Sequence, residues 1–256
     1  MQHISFSELK NWAKCAFYHK LVNIDKLRGF AGSEHTAFGT ALHEVCEKRV
    51  LGKLKKGKEE ELFLKTFEQE ILSLLEDNIE LDQDLITGME EQGKKLSVLA
   101  VPALFECFGE YEVVSAEEKL YEPIDEFEYN FKGYIDLVIK TSDGKYHIID
   151  WKTTSWGWDS RRRSDPMVTY QLTLYKYYFA RKHGIDLKNV ETHFALLKRT
   201  ATKDHVEIFR VSSGARKTEN ALKLLNKAIY NIKRKKHIKN KLSCAKCEFY
   251  RTEHCR

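Results

Sequence analysis

The sequence predicts an α/β fold, a mixed central β-sheet flanked by helices, with a helical region before the sheet and a cysteine-bearing tail after it. Three observations predict this. Residues 131–154 read as two strands rich in β-branched and aromatic residues, joined by Ser142-Asp143-Gly144, which is a hairpin signature. Residues 50–109 are helical by pattern, with Leu62, Phe63, Phe67, Ile71, Leu74 and Leu75 forming an apolar stripe. Beyond the hairpin, a helical stretch precedes further strands near Val190–Leu197 and His205–Val211.

At 256 residues and 42% hydrophobic, the chain can bury a sizeable core, and it reads as one domain over 1–256. Charged residues make up 32% and the formal net charge is +5, a mild bias that suits a polyanionic partner. No apolar run approaches bilayer length and the N-terminus lacks a signal-peptide core, so the expectation is a soluble, cytoplasmic protein with no membrane partner. The six cysteines are then expected as reduced thiols or ligands. Three prolines and no internal repeat argue against long disordered linkers.

Taken in order, the first helix is expected near Ser5, with Ser5 and Glu8 as a capping box and Phe6, Leu9 and Trp12 at helical spacing. Cys15 lies near its end and reads, by itself, as a small core residue. Residues 29–35 read as a mobile loop. Ala37 opens a second helix, whose small residues permit close packing and which carries Gly39 and His43. A further helix is expected from Glu90 to Phe108, and Lys53 to Lys58 as a solvated helix end or loop. Cys46 and Cys107 show no ligand spacing and read as structural. The sheet starts at Tyr111 with Val113, Val114 and Leu120 and carries Glu117 and Glu118. A strand Glu126 to Phe131 leads into the hairpin.

In the hairpin, side chains alternate between faces. A three-residue loop pairs Thr141 with Lys145 and sets Asp136 opposite Asp150, with the two carboxylates roughly 5 Å apart and Lys152 on the same face. A two-residue loop would throw the aspartates to opposite faces. Two aspartates and a lysine on one face suit a divalent cation bound by oxygen ligands, Mg²⁺ or Mn²⁺. Lys152 could then act on a water or stabilise charge on a phosphate. A surface ion pair is the simpler reading, but Ile148-Ile149 carries the charge to the end of a buried strand.

Past the hairpin, Trp156, Trp158 and Arg161-Arg162-Arg163 combine aromatic faces with positive charge, which suits phosphate contact and base stacking; an exposed flexible loop fits the same residues. A helix is expected from Pro166 to Lys182, with Gln171 and Tyr175 on one face. Another runs from Ala215 to Arg234 into the basic block Lys233 to Lys236. Cys244 and Cys247 form a chelating Cys-x-x-Cys pair, followed by Cys255.

Gly133-Tyr134-Ile135-Asp136 with Ile148-Ile149-Asp150-Trp151-Lys152-Thr153 resembles the PD-(D/E)XK nuclease superfamily, and within it the RecB-like branch. Gly39-x-x-x-His43, Gln171-x-x-x-Tyr175, Cys15 and the C-terminal cysteines fall in that branch's order. The set is similar to its iron–sulfur members, which include the AddB nuclease domain and the CRISPR-associated adaptation nucleases. The resemblance implies a restriction-endonuclease-like core and phosphodiester hydrolysis. It implies metal ligation by His43, Asp136, Asp150 and the Trp151 carbonyl, with Lys152 assisting and Gln171 and Tyr175 at the active site. A glutamate of the first strand would reach the metal region; the sequence leaves Glu117 and Glu118 both open, with a lean to Glu117. Residues 36–110 would help form a passage for single-stranded nucleic acid and 111–236 the nuclease core. Residues 1–28 and 237–256 would join in a subdomain where Cys15, Cys244, Cys247 and Cys255 hold a [4Fe–4S] cluster. The spacing before Cys255 is longer than usual, which leaves Zn²⁺ open as the alternative, with His254 as a substitute ligand.

The expected activity is therefore that of a metal-dependent deoxyribonuclease, an exonuclease on single-stranded DNA ends in recombination, repair or replication, beside a helicase, recombinase or integrase. An endonuclease, a catalytically silent nucleic-acid-binding module and a zinc-stabilised assembly module are the alternatives.

Overall fold

The computed structural model describes residues 2–27 and 31–255 and falls into two compact units, one of Met1–Ala31, Lys119–Gly133 and Gly214–Arg256, the other of Gly32–Glu118 and Tyr134–Ser213. The strands are β1 (Gln2–Ser5), β2 (Tyr111–Pro123), β3 (Tyr129–Thr141), β4 (Tyr146–Thr154), β5 (Val190–Lys198) and β6 (Val206–Arg210). The helices are α1 (Phe6–Lys14), α2 (Ala16–His19), α3 (Glu34–Val50), α4 (Glu59–Glu76), α5 (Gln83–Leu99), α6 (Pro102–Phe108), α7 (Ser160–Ser164), α8 (Pro166–His183) and α9 (Ala215–Lys233). This is the mixed α/β architecture that the sequence predicts. None of these helices is long and apolar enough to cross a membrane.

In the unit beginning at Gly32, β3 and β4 are antiparallel, β4 and β5 parallel, and β5 and β6 antiparallel. One sheet face, with Leu137, Ile139, Ile149, Trp151, Ala195 and Leu197, shares a core with α3 to α6. The opposite face meets α8, where the Tyr146 and Phe179 ring centroids stand 6.1 Å apart. Trp158 belongs to the same side, edge-on to Phe194 at 5.0 Å and to Phe209 at 6.1 Å. Because β4 alternates, Ile148, Asp150 and Lys152 point away from the α3–α6 core.

Several boundaries differ from the sequence reading. Of the stretch expected as a mobile loop, Gly29 and Phe30 lie outside the described residues. Ser33 already prepares α3, its N–H donating to Thr36 Oγ1 at 2.9 Å. The helix expected from Glu90 begins earlier, at Gln83, because Asp82 Oδ1 caps it through the Leu85 N–H at 3.0 Å. It stops at Leu99, and Pro102 opens α6 at a position where its missing N–H costs nothing. No strand starts at Glu126, which has φ 72°; β3 begins at Tyr129 and runs without interruption into the hairpin. In the apolar stripe, Phe63, Phe67 and Ile71 are buried, whereas Leu75 is exposed.

In the other unit, β1 is parallel to the start of β3, with Ile4 opposite Phe131. The sequence reading has no strand here, since four residues give too short a pattern to register. Ser5 caps α1, its Oγ accepting the Glu8 N–H at 3.2 Å. The expected capping box is only half formed, because Glu8 Oε1 instead meets Nε2 of the buried His19 at 2.8 Å. In α9, Thr218, Ala221, Leu225, Ala228 and Ile229 are buried at three- and four-residue intervals, giving one apolar face.

Helices α4 and α5 approach closely at Gly93. Phe63 stacks on Phe67 and meets Phe38 edge-on, each with centroids 5.5 Å apart. A Cβ added at Gly93 would fall 1.9 Å from Phe63 Cζ, so the ring occupies the space that a side chain would need. The Gly93→Ala substitution is expected to destabilise the fold by about 1–3 kcal/mol through overpacking, despite alanine's better helix propensity. Urea unfolding of the two proteins measures this, and a variant at least as stable as the parent would contradict it.

Candidate active site

The site is built on the β3–β4 hairpin. Thr141 N–H donates to Lys145 O at 3.0 Å around Ser142, Asp143 and Gly144, and Gly144 takes φ 81°. Asp143 Oδ1 secures the turn, accepting from Thr141 Oγ1 at 2.6 Å and Lys145 N–H at 3.2 Å. The three-residue loop sets the register Lys140–Tyr146 through Leu137–Ile149. One residue beyond that ladder, the Asp136 side chain takes up the backbone of β4, its Oδ2 accepting the Trp151 N–H at 2.8 Å. Asp136, Asp150 and Lys152 therefore lie on one sheet face, as the sequence reading expects.

Helix α3 supplies His43. Gly39, one turn earlier, faces the end of β4; a Cβ there would stand 3.4 Å from Thr153 Oγ1, so the small residue lets the helix approach the strand. His43 Nε2 lies 3.0 Å from the Trp151 carbonyl oxygen, and Nδ1 lies 3.6 Å from Asp136 Oδ2. A proton on Nε2, donated to that carbonyl, leaves the Nδ1 lone pair toward the carboxylate.

Strand β2 adds a carboxylate. Glu117 has φ 50°, a left-handed conformation that is costly for a residue with a Cβ and that marks functional sites when held in place. The two neighbouring glutamates have separate partners. Glu118 Oε1 is held by Lys182 Nζ at 2.7 Å and His183 Nε2 at 2.6 Å. Glu117 joins His43 and Asp136, and the three offer ligand atoms that all lie within 4.8 Å of one another. Burial, with the nearby Asp136 charge, pushes the Glu117 carboxyl above its ordinary range. The concavity beside it holds about 430 Å³ and is also lined by Gly39, Thr40, Glu44 and Glu47.

Asp150 lies next to this group but is not one of the three. It is 1% exposed, paired with Lys152 Nζ, and its Oδ1 has no hydrogen-bond partner. Burial above all, then the Asp136 charge, pushes its carboxyl up to about 6 against the opposing pull of Lys152. Burial lowers the Lys152 ammonium, but the Asp150 and Asp136 charges outweigh it and leave that ammonium raised. From α8, Gln171 Nε2 donates to Tyr175 Oη at 3.2 Å. Burial, then the Asp150 charge, pushes the Tyr175 phenol up to about 12. The donors are carboxylates and one imidazole, with an orphaned buried carboxylate oxygen beside them, and this set fits a divalent cation.

The aromatic–arginine stretch divides. Trp156 is 64% exposed. Trp158 is 6% exposed, and its rings are spent on Phe194, Phe209 and the Arg162 guanidinium at 4.5 Å, which corrects its expected role in base stacking. Arg163 is likewise engaged, with Glu207 Oε1 at 2.5 Å and the Phe209 ring at 4.4 Å. Arg161, on α7, stays exposed.

In the other unit, Cys15, Cys244, Cys247 and Cys255 all line one cavity of about 310 Å³, with Phe17, Tyr18, Phe249 and Tyr250 around them. Cys15 Sγ accepts the Asn240 N–H at 3.2 Å. His254 is not among the lining residues; its Nε2 stands 3.5 Å from Glu253 Oε1.

The search of curated proteins returns no match. Among solved structures, the chain resembles that of a "Putative exonuclease" from Eubacterium rectale, with a TM-score of 0.60 and 14% identity over 92% of this chain and 82% of that one. A second structure, SSO0001, aligns over 84% of this chain and 94% of its own at 14% identity, with a TM-score of only 0.38. The family model of the PD-(D/E)XK nuclease superfamily matches residues 3–252, and the chain belongs to that superfamily.

Proposed function

We propose that this nuclease is a divalent-metal-dependent deoxyribonuclease that removes nucleotides from single-stranded DNA ends. The observation that carries the reading is the convergence of His43, Glu117 and Asp136 beside the buried Asp150–Lys152 pair. These three side chains, with Asp150 and the Trp151 carbonyl next to them, would hold Mg²⁺ or Mn²⁺. Bound there, the cation supplies Lewis-acid stabilisation of charge on the phosphodiester. Lys152 places a second positive charge beside the same oxygens, where removal from water strengthens it. His43 is oriented by the Trp151 carbonyl, and Gln171 and Tyr175 position the Lys152 side of the site.

The polarity of the surroundings supports a single-stranded substrate. Trp156 offers an exposed ring for stacking and Arg161 an exposed charge for phosphate, while the basic block Lys233 to Lys236 adds positive charge to the other unit. A helicase, recombinase or integrase would be a suitable partner. The word exonuclease in the name of the Eubacterium rectale protein supports action at ends.

We also propose that Cys15, Cys244, Cys247 and Cys255 hold a [4Fe–4S] cluster whose role is structural. Four thiols on one cavity are the donor set it needs, and the Asn240 N–H to Cys15 Sγ is the kind of contact that stabilises a cluster sulfur. Tetrahedral zinc would draw its sulfurs to roughly 3.8 Å from one another, given Zn–S bonds of about 2.3 Å.

Three outcomes check these readings. With labelled single-stranded DNA and Mn²⁺ or Mg²⁺, Asp150→Asn and Lys152→Ala should each lower turnover at least about 100-fold; undiminished turnover in either would remove that residue from the mechanism. Trp156→Ala should weaken single-strand binding by about 1–3 kcal/mol, and Arg161→Glu should weaken it for all sequences alike with a shallower salt dependence. Loss of binding to some sequences alone would contradict the phosphate assignment. Protein purified without oxygen should be brown and contain iron, and Cys15→Ser should reduce both; colourless protein with stoichiometric zinc would show the cluster assignment to be wrong.

A further inference from the structure

A second group of metal-capable side chains lies on the other face of the same sheet. His147, on β4, is opposite Glu191 on β5, and His193 is two residues farther along β5. Two-residue spacing puts Glu191 and His193 on one face, and His147 joins them there. The three offer ligand atoms that all lie within 4.8 Å of one another, and both histidines are 6% exposed.

We propose that His147, Glu191 and His193 form a metal centre separate from the nuclease site, for a zinc-class divalent cation, which clips β4 to β5 beside Phe108. The imidazole nitrogens carry the argument. His147 Nδ1 stands 3.1 Å from His193 Nε2. Two nitrogens on one tetrahedral zinc, each at about 2.0–2.1 Å, lie roughly 3.3 Å apart, so the pair already has chelating separation. Thr141 Oγ1 donates to Asp143 Oδ1 at 2.6 Å and so meets His147 Nε2, 3.0 Å away, as an acceptor. That places the His147 proton on Nε2 and turns the Nδ1 lone pair toward His193. A ligating imidazole is held this way, its distal N–H fixed by a neighbouring oxygen.

The carboxylate is divided in the same sense. Lys145 Nζ at 3.2 Å and Arg210 at 3.4 Å both engage Glu191 Oε1. Oε2 is the oxygen nearer the imidazoles, 3.9 Å from His193 Nε2. The two cations thus orient the carboxylate without occupying its inward oxygen. The Phe108 ring closes over the histidines, with centroids 4.8 Å from His147 and 5.0 Å from His193. Two imidazoles and one carboxylate favour a zinc-class ion over Mg²⁺ more strongly than the single imidazole and carboxylates of the nuclease site do.

The test uses the full chain with ¹⁵N-labelled histidine, metal-free and then saturated with Mg²⁺, titrated with Zn²⁺. Long-range ¹H–¹⁵N spectra report each ring nitrogen, and contacts to the Phe108 ring identify His147 and His193 without any substitution. His147 Nδ1 and His193 Nε2 should shift together and saturate with one equivalent of Zn²⁺ beyond that taken up by the cysteine pocket. Glu191→Gln should raise the dissociation constant for Zn²⁺ roughly 10–100-fold while keeping the fold. Two ring resonances that stay fixed after Zn²⁺ has filled the cysteine pocket would overturn the proposal, leaving a hydrogen-bonded histidine pair. Unchanged affinity in Glu191→Gln would overturn the three-ligand centre. If that variant fails to fold, the parent protein's two resonances decide the matter alone.

Discussion

The carboxylate of Asp150 is the constraint on which the nuclease unit depends. Folding takes it almost wholly out of water at 1% exposure, with one oxygen left without a hydrogen bond. An isolated ionised carboxylate in that position would be prohibitively costly, so the surroundings must supply compensation. Lys152 supplies part of it, from two residues along the same strand. The remaining deficit is what a cation would relieve, and it explains why a site of like charges is stable enough to be built. Around it β3 brings Asp136 and β2 brings Glu117, which add to the deficit; α3 brings His43, which opposes it, and α8 contributes Gln171 and Tyr175.

Two of these groups are held by a single backbone unit. The Trp151 peptide is used twice, its N–H by Asp136 and its carbonyl by His43. A single residue between Asp150 and Lys152 therefore sets the positions of two candidate ligands from two other elements. Its own indole is among the largest fully buried side chains and lies in the α3–α6 core. The alternation of β4 links these facts: Trp151 points into the core and so fixes the strand, while Asp150 and Lys152 point to the opposite face and carry the charge. The same division places His147 on the core side, apart from the face that carries Asp150 and Lys152.

The sequence made the hairpin legible because three independent signals agree there. Period-two alternation, a Gly-containing turn and the charges of Asp136, Asp150 and Lys152 all require the same register, and any slip would have scattered them. The start of α5 was not legible, since Asp82 caps it within a polar stretch without apolar periodicity. The choice between Glu117 and Glu118 was equally hidden. It turns on which face of β2 meets His43 and Asp136, and neither glutamate carries a compositional mark of that. Trp158 shows the opposite difficulty: aromatic residues beside arginines look alike whether they face DNA or protein, and only the positions of Phe194 and Phe209 decide.

The histidine pair illustrates a further limit, and its physical basis. His147 is separated from Glu191 and His193 by more than forty residues, so no spacing rule for metal ligands could have joined all three. Parallel pairing of β4 with β5 brings them together, and that pairing is itself a long-range event requiring α7 and α8 to intervene. Once formed, the cross-strand group and Asp150 are coupled through the same pair of strands, with His147 three residues before Asp150 on β4. Any ion that tightens the β4–β5 pairing at His147 would also limit the freedom of the strand that presents Asp150 and Lys152. A metal on the core side of this sheet would thus act on the nuclease site through the backbone of β4, with no direct contact to its ligands.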